Sequence, residues 1–97
     1  MKTAQKIKAE VTARLAPRYR VLIHNDDVTP FEVVIDVLTR FFKKVPMDAL
    51  TIALEAHHTN VALVEVMGLE EAEFRVEQAH ALARTNKFPL TFTIEPE

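Results

Sequence analysis

Residues 24–32 read HNDDVTPFE: the imidazole of His24, the amide of Asn25 and the carboxylates of Asp26 and Asp27, then Val28, a Thr29-Pro30 pair, the aromatic Phe31 and Glu32. The preceding Tyr19–His24 (YRVLIH) is apolar and β-branched enough for a strand, so Asn25 marks where that strand ends and residues suited to turns and caps take over. Thr29 is placed as a helix N-cap, Pro30 as the first helical position, and Glu32 as the residue that completes a capping box. A strand that becomes a helix through one short polar loop sets the element order for everything downstream.

Beyond the loop, Val33, Val34, Val37, Leu38, Phe41 and Phe42 recur at helical spacing, with Glu32, Asp36 and Arg40 on the wet side. Lys43 and Lys44 fall where a helix C-terminus favours positive charge, and Pro46 opens a second helix running to about His58. Leu50, Ala53, Leu54 and His57 share one face of that helix by three- and four-residue spacing. A strand follows over Val61–Met67. Gly68, the only glycine, precedes a third helix from about Leu69 to Arg84, with a buried stripe of Ala72, Val76, Ala79 and Ala83 and a solvated side of Glu70, Glu71, Glu73 and Glu77. Asn86 ends it, and Pro89–Ile94 supplies a last strand. The order strand, helix, helix, strand, helix, strand predicts the α+β class: a small three-stranded antiparallel sheet with three helices packed on one face.

Ninety-seven residues suit one domain with a single core, and 48% hydrophobic with 27% charged residues is an ordinary globular balance. The absence of cysteine excludes disulfides and thiolate metal sites, and no apolar run is long enough to span a bilayer. A cytoplasmic location, no membrane and no cofactor are the expectation. The net charge of −2 divides unevenly: residues 1–18 carry five Lys or Arg against Glu10, and residues 19–97 carry seven against thirteen acids. A mildly acidic body offers no basic face for tracking phosphates, so nucleic acid is not an expected partner. Residues 1–17, with good helix formers but few large apolar side chains, are expected to be a mobile or weakly docked extension on a domain spanning residues 18–97.

Turn chemistry alone accounts for Asn and Asp at a strand-to-helix junction. The adjacent pair His57-His58 lacks the i, i+4 spacing that lets two helical imidazoles share a zinc ion. Thr59 beside His58 has no glycine elbow or third orienting group. No catalytic residue and no metal site is assigned, and the chain is not expected to be an enzyme. Two other readings stay open: a protein-interaction module of the same build without a pocket for an amino terminus, and a metal-dependent hydrolase using His24, Asp26, Asp27 and His57.

The pattern VLIHNDDVTPFEVVIDVLTRFF, followed by ALTIALEAHH and ending in FPLTFTIE, resembles the ClpS family, adaptors that bring N-end-rule substrates to a AAA+ Clp protease. The resemblance covers about Tyr19 to Glu95. It implies recognition of a free α-amino group together with a bulky first side chain: Leu, Phe, Tyr or Trp. An ammonium has three donors and no acceptor, so its receptor must offer acceptors and negative charge. On the family pattern these are the Asn25 side-chain carbonyl, the Asp27 carboxylate and a neutral His57 ring, with Asp26 reinforcing the potential or serving as a cap. Charge-assisted hydrogen bonds of roughly 1.5–3 kcal/mol each, plus burial of one large side chain, suit low-micromolar binding, about −8 kcal/mol. Because an accepting imidazole must be neutral and histidines ordinarily titrate near 6.5, affinity is expected to fall from about pH 7.5 to about pH 5.5.

The same pattern implies an apolar pocket lined by Phe31, Val34, Ala53, Ala56 and Leu90. It further implies docking of a ClpA- or ClpC-type unfoldase N-terminal domain at Glu70, Glu73 and Arg75, and an extension that helps hand over cargo. This chain departs from the family at several of these positions. Phe31 stands where Met is usual, and Ala53 and Ala56 where larger residues are common, which reshapes the pocket and points to a deeper one favouring aromatic side chains. Asn60 and Glu65 replace usual glycines, and Arg75 a common Lys. Asn tolerates a left-handed backbone, so the turn at residue 60 can survive.

Overall fold

The computed structural model of the protein describes residues 3–8 and 16–97. Its elements are β1 (Tyr19–His24), α1 (Phe31–Phe41), α2 (Pro46–Thr59), β2 (Val61–Met67), α3 (Leu69–Thr85) and β3 (Thr91–Pro96). β1 lies in the centre of a three-stranded sheet of order β2-β1-β3 and pairs antiparallel with both neighbours. The three long helices cover one face, giving the expected α+β architecture. Strand alternation sends Val21 and Ile23 of β1 into the core, where they are fully buried, and leaves Arg20, Leu22 and His24 on the open face. On that face Arg20 pairs with Glu95, and His24 Nε2 lies 2.7 Å from the Thr93 hydroxyl.

The register of β1 on β2 slips between Val21 and Leu22, whose partners are Glu65 and Leu63, so Val64 is an extra residue in a bulge. The slip changes which side chains of β2 point inward, and Ala62, Val64 and Met67 are buried rather than a strict alternation. It also turns Glu65 toward the helical layer, where its carboxylate meets Lys44 Nζ at 2.7 Å. Lys44, expected to complement the end of α1, is instead a counter-ion for Glu65.

α1 buries Val34, Val37 and Leu38 as its spacing predicts, and the ring of Phe42 just beyond it stacks on Phe92 of β3 at 5.0 Å between centroids. Its start differs from the capping-box expectation. Pro30, extended at φ −62° and ψ 148°, is the cap residue, and its carbonyl accepts the N–H groups of Val33 and Val34 at 3.0 and 3.2 Å. No side chain caps the helix, because the cap position falls on Pro30, whose ring carries no acceptor, while Thr29 lies one residue earlier and its hydroxyl donates to Asp26 Oδ2 at 2.9 Å.

α2 runs one residue past its expected end. Its buried residues are Ala49, Ala53 and Ala56, whereas Leu50 and Leu54 of the expected stripe stay exposed. Small side chains on the packed face let this helix lie close to both α1 and β2. α3 buries Ala72, Val76, Ala79 and Ala83, as its spacing predicts. It closes through Lys87 at φ 62°, with Phe88 N–H donating to Ala83 C=O at 2.8 Å and Lys87 N–H to Arg84 C=O at 3.0 Å, a Schellman arrangement built without glycine. Arg84 Nη1 then holds the carbonyls of Phe88 and Leu90 at 2.7 and 2.8 Å, so β3 begins at Thr91 instead of Pro89.

Residues 4–8 are helical, capped by Thr3, whose carbonyl accepts Ile7 N–H at 3.0 Å and whose hydroxyl accepts Lys6 N–H at 3.2 Å. The expectation of a mobile extension over residues 1–17 rests in large part on residues 1, 2 and 9–15, which lie outside the described residues. Among the described residues no helix is long and apolar enough to cross a membrane.

Candidate functional site

The end of β1, the loop after it, the first turn of α1 and the last turns of α2 enclose a cavity of about 310 Å³. One backbone bond draws these parts together. Asn60 takes the left-handed conformation at φ 73° just after α2, and its carbonyl accepts the N–H of Asn25 at 2.9 Å. The same turn starts β2, whose Val61 pairs with His24. The last turn of α2, carrying Ala56 and His57, is thereby held against the beginning of the polar loop.

Asn25, Asp26, Asp27 and His57 all line the cavity, with Asn25, Asp27 and His57 exposed to solvent and Asp26 half-buried. Asp26 is occupied by its own loop: Oδ1 accepts the N–H groups of Val28 and Thr29 at 2.8 and 2.7 Å, and Oδ2 the Thr29 hydroxyl. Burial raises the Asp26 carboxyl, but the Thr29 and Val28 N–H groups, the Thr29 hydroxyl and the Arg84 guanidinium outweigh it. The group therefore lies below the ordinary aspartate value. Of the two roles expected for Asp26, the cap of the loop is the one its hydrogen bonds describe. Among the described residues no Lys or Arg lines the cavity, so the negative charge of this loop faces it without a cationic wall.

The apolar walls are Val34, Ala53 and Ala56, all buried, together with Phe31, whose ring sits 5.9 Å from that of His57 at 56°. Two further lining residues, Ile23 and Thr29, are not among those expected at the pocket. Ile23 is an inward position of β1, and Thr29 belongs to the loop that Asp26 holds through its N–H and hydroxyl. Leu90 is the exception among the expected pocket residues. It is buried within the core and is not among the residues lining this cavity; its carbonyl accepts from Arg84 Nη1 just before β3.

Glu70 and Glu73 project from α3 into solvent. Arg75 does not project freely: Nη1 donates to the Phe41 carbonyl at 2.7 Å and Nε to Glu71 Oε1 at 2.9 Å, so it ties α3 to the end of α1. His24 points to the open face of the sheet and is not among the residues lining the cavity. Chemically, the cavity joins exposed acceptors and negative charge at its rim to an apolar interior, a combination suited to a cationic head next to a bulky hydrocarbon group.

A family model described as the ATP-dependent Clp protease adaptor protein ClpS matches residues 14–93. The ATP-dependent Clp protease adapter protein ClpS of Maricaulis maris is 46% identical over 79 residues, spanning 81% of this chain and 72% of that protein. The ClpS adapter of Gloeobacter violaceus is 42% identical over 98 residues, covering 100% of this chain and 99% of its own. The structure of Agrobacterium tumefaciens ClpS2 bound to L-phenylalaninamide matches with a TM-score of 0.81 at 36% identity, over 84% of this chain and 98% of that one.

Proposed function

The chain belongs to the ClpS family of ATP-dependent Clp protease adaptor proteins, and from that premise we propose that it is a cytoplasmic adaptor selecting substrates by their first residue. It binds proteins that begin with Leu, Phe, Tyr or Trp and delivers them to a ClpA- or ClpC-type unfoldase. The observation that carries this reading is the cavity of about 310 Å³, with Asn25, Asp27 and His57 at its rim, apolar walls and, among the described residues, no cationic side chain. The Agrobacterium relative holds L-phenylalaninamide, a free amine beside a benzyl group, and the cavity here offers surfaces of the same two kinds.

In this reading the α-ammonium donates to the Asn25 side-chain carbonyl, the Asp27 carboxylate and a ring nitrogen of His57. Asp26 keeps the loop in shape and adds to its potential. The first side chain enters between Phe31, Val34, Ala53 and Ala56, and the two alanines leave depth for an aromatic ring, so Phe, Tyr and Trp are preferred over Leu. Glu70 and Glu73 give the unfoldase an acidic docking face, Arg75 braces the helix that carries it, and residues 1–17 form an extension that assists hand-over.

A peptide beginning with Phe and its N-acetylated twin, each titrated with and without a chelator, test the reading. Loss of binding on acetylation, with indifference to chelation, is the expected result. Equal binding of the two peptides contradicts an ammonium receptor, and loss on chelation favours a metal site instead.

A further inference from the structure

α2 has an unusual distribution of side chains: its alanines are buried while Met47, Leu50 and Leu54 face outward. Met47, Leu50 and Leu54 are 71%, 36% and 39% exposed, and with His57 they follow one another at spacings of three and four residues, forming one continuous stripe. The stripe lies on the flank of α2 that carries His57, whose ring is next to that of Phe31 on α1, so it borders the seam between these helices. Ile35, one turn after Phe31 on α1, is half-buried on the same seam. One end of this apolar seam is the cavity rim itself, since Phe31 and His57 belong to both.

We propose that the seam is a second substrate-binding surface, which takes up apolar side chains at the third and fifth positions of a bound chain. The inference rests on the first-residue reading above. With the ammonium at the loop carrying Asn25 and Asp27 and the first side chain in the cavity, the apolar surface continuous with the cavity, through Phe31 and His57, is the seam, and the rest of the chain follows it. An extended chain advances about 3.3 Å per residue and returns side chains to the same face every second residue. The third side chain thus lies about 7 Å from the first, and the fifth about 13 Å. On α2, at about 1.5 Å per residue, Leu54 is about 5 Å and Leu50 about 11 Å along the axis from His57, so the two repeats run nearly in step. The occupant is therefore an extended, unfolded segment with alternating apolar residues, as found at the start of a protein whose folded domain begins further along.

Peptides beginning with Phe that differ only in a third residue of Leu or Gln are titrated against the protein and against its Leu54→Gln variant, with L-phenylalaninamide as a ligand confined to the cavity. The expected result is about tenfold tighter binding of the Leu peptide to the unaltered protein. That preference disappears in Leu54→Gln, while L-phenylalaninamide binds both proteins equally. Equal affinity of the two peptides for the unaltered protein, with L-phenylalaninamide bound normally, overturns the seam and leaves the cavity standing; failure of L-phenylalaninamide to bind overturns both. A dimer in sedimentation that Leu54→Gln dissolves, without any third-residue preference, assigns the stripe to a second copy and equally overturns the proposal. Leu50→Gln, paired with substitutions at the fifth residue, repeats the test at an independent position if Leu54→Gln fails to fold.

Discussion

The backbone N–H of Asn25 donates to the carbonyl of Asn60 at 2.9 Å, joining the end of β1 to the left-handed turn that terminates α2. This bond lies beneath the rim of the cavity and fixes how close Asn25 and His57 come. Asn60 at φ 73° occupies a conformation that costs most L residues about 1–2 kcal/mol. Asn60→Gly is therefore expected to retain stability and peptide affinity. Asn60→Val is expected to lose about 1–2 kcal/mol of stability and to weaken a Phe-initiated peptide disproportionately. Urea unfolding combined with peptide titration checks both; full affinity in Asn60→Val would separate the turn from the site.

Lys87 is another of the three non-glycine residues at positive φ among the described residues, at the position after the α3 cap where glycine is usual. Lys87→Gly is expected to stabilise the domain by about 1 kcal/mol, a rise of about 4–8 °C in Tm. Calorimetry reads it directly, and an unchanged or lowered Tm contradicts the strain argument.

How much of this was legible in the sequence varied with how many partners competed for each residue. The α3 stripe was readable because Ala72, Val76, Ala79 and Ala83 face one layer and nothing contests them. Spacing on α2 groups Leu50, Ala53, Leu54 and His57 on one face but does not say which edge of it is buried; close approach to α1 and β2 selects the alanines and leaves Leu50 and Leu54 exposed. The capping box is absent because the helix starts one residue later than the Thr-Pro pair suggests: the cap position is Pro30, which has no side-chain acceptor, and Thr29 belongs to the loop held by Asp26. The convergence of Asn25 and His57 came from family resemblance, because spacing alone says nothing about a turn that brings residue 60 back to residue 25.

His80 accepts the Phe92 N–H on Nε2 at 2.9 Å, so its ring is neutral and carries its proton on Nδ1. Burial first, and the Arg84 guanidinium second, hold it below the ordinary histidine value of about 6.5. The unfolded chain thus binds more protons than the folded one below that value. The stability is complete above about pH 6.5 and is lost as pH falls through the lowered folded value. Urea midpoints between about pH 7.5 and pH 5 are expected to fall for the unaltered protein and to be flatter for His80→Gln, whose amide oxygen can take over the acceptor role. A flat profile in the unaltered protein contradicts this.

Asp26 has the same sign at lower pH. Its depressed carboxyl contributes stability that is present above the ordinary aspartate value of about 3.9 and lost as pH falls through the folded value. Asp26→Ala leaves the Val28 and Thr29 N–H groups without their acceptor and is expected to loosen the loop, weakening peptide binding more than Asp26→Asn. Peptide titration of the two variants at neutral pH distinguishes them; equal losses would mean that charge, and not loop shape, is the contribution of Asp26.

Ala53 and Ala56 set the depth of the cavity. Peptides differing only in the first residue are expected to bind in favour of Phe and Trp over Leu, and Ala53→Met is expected to reverse that order by filling the space an aromatic ring uses. A clear preference of the unaltered protein for Leu contradicts the assignment.

The most direct measurement is a map of backbone and imidazole chemical shifts on adding L-phenylalaninamide and, separately, its N-acetylated form. Shifts confined to residues 23–34 and 53–60 with the free amine, and absent with the acetylated compound, are the expected result. Shifts centred on α3, or the same shifts with both compounds, would contradict an amino-terminus receptor at this cavity.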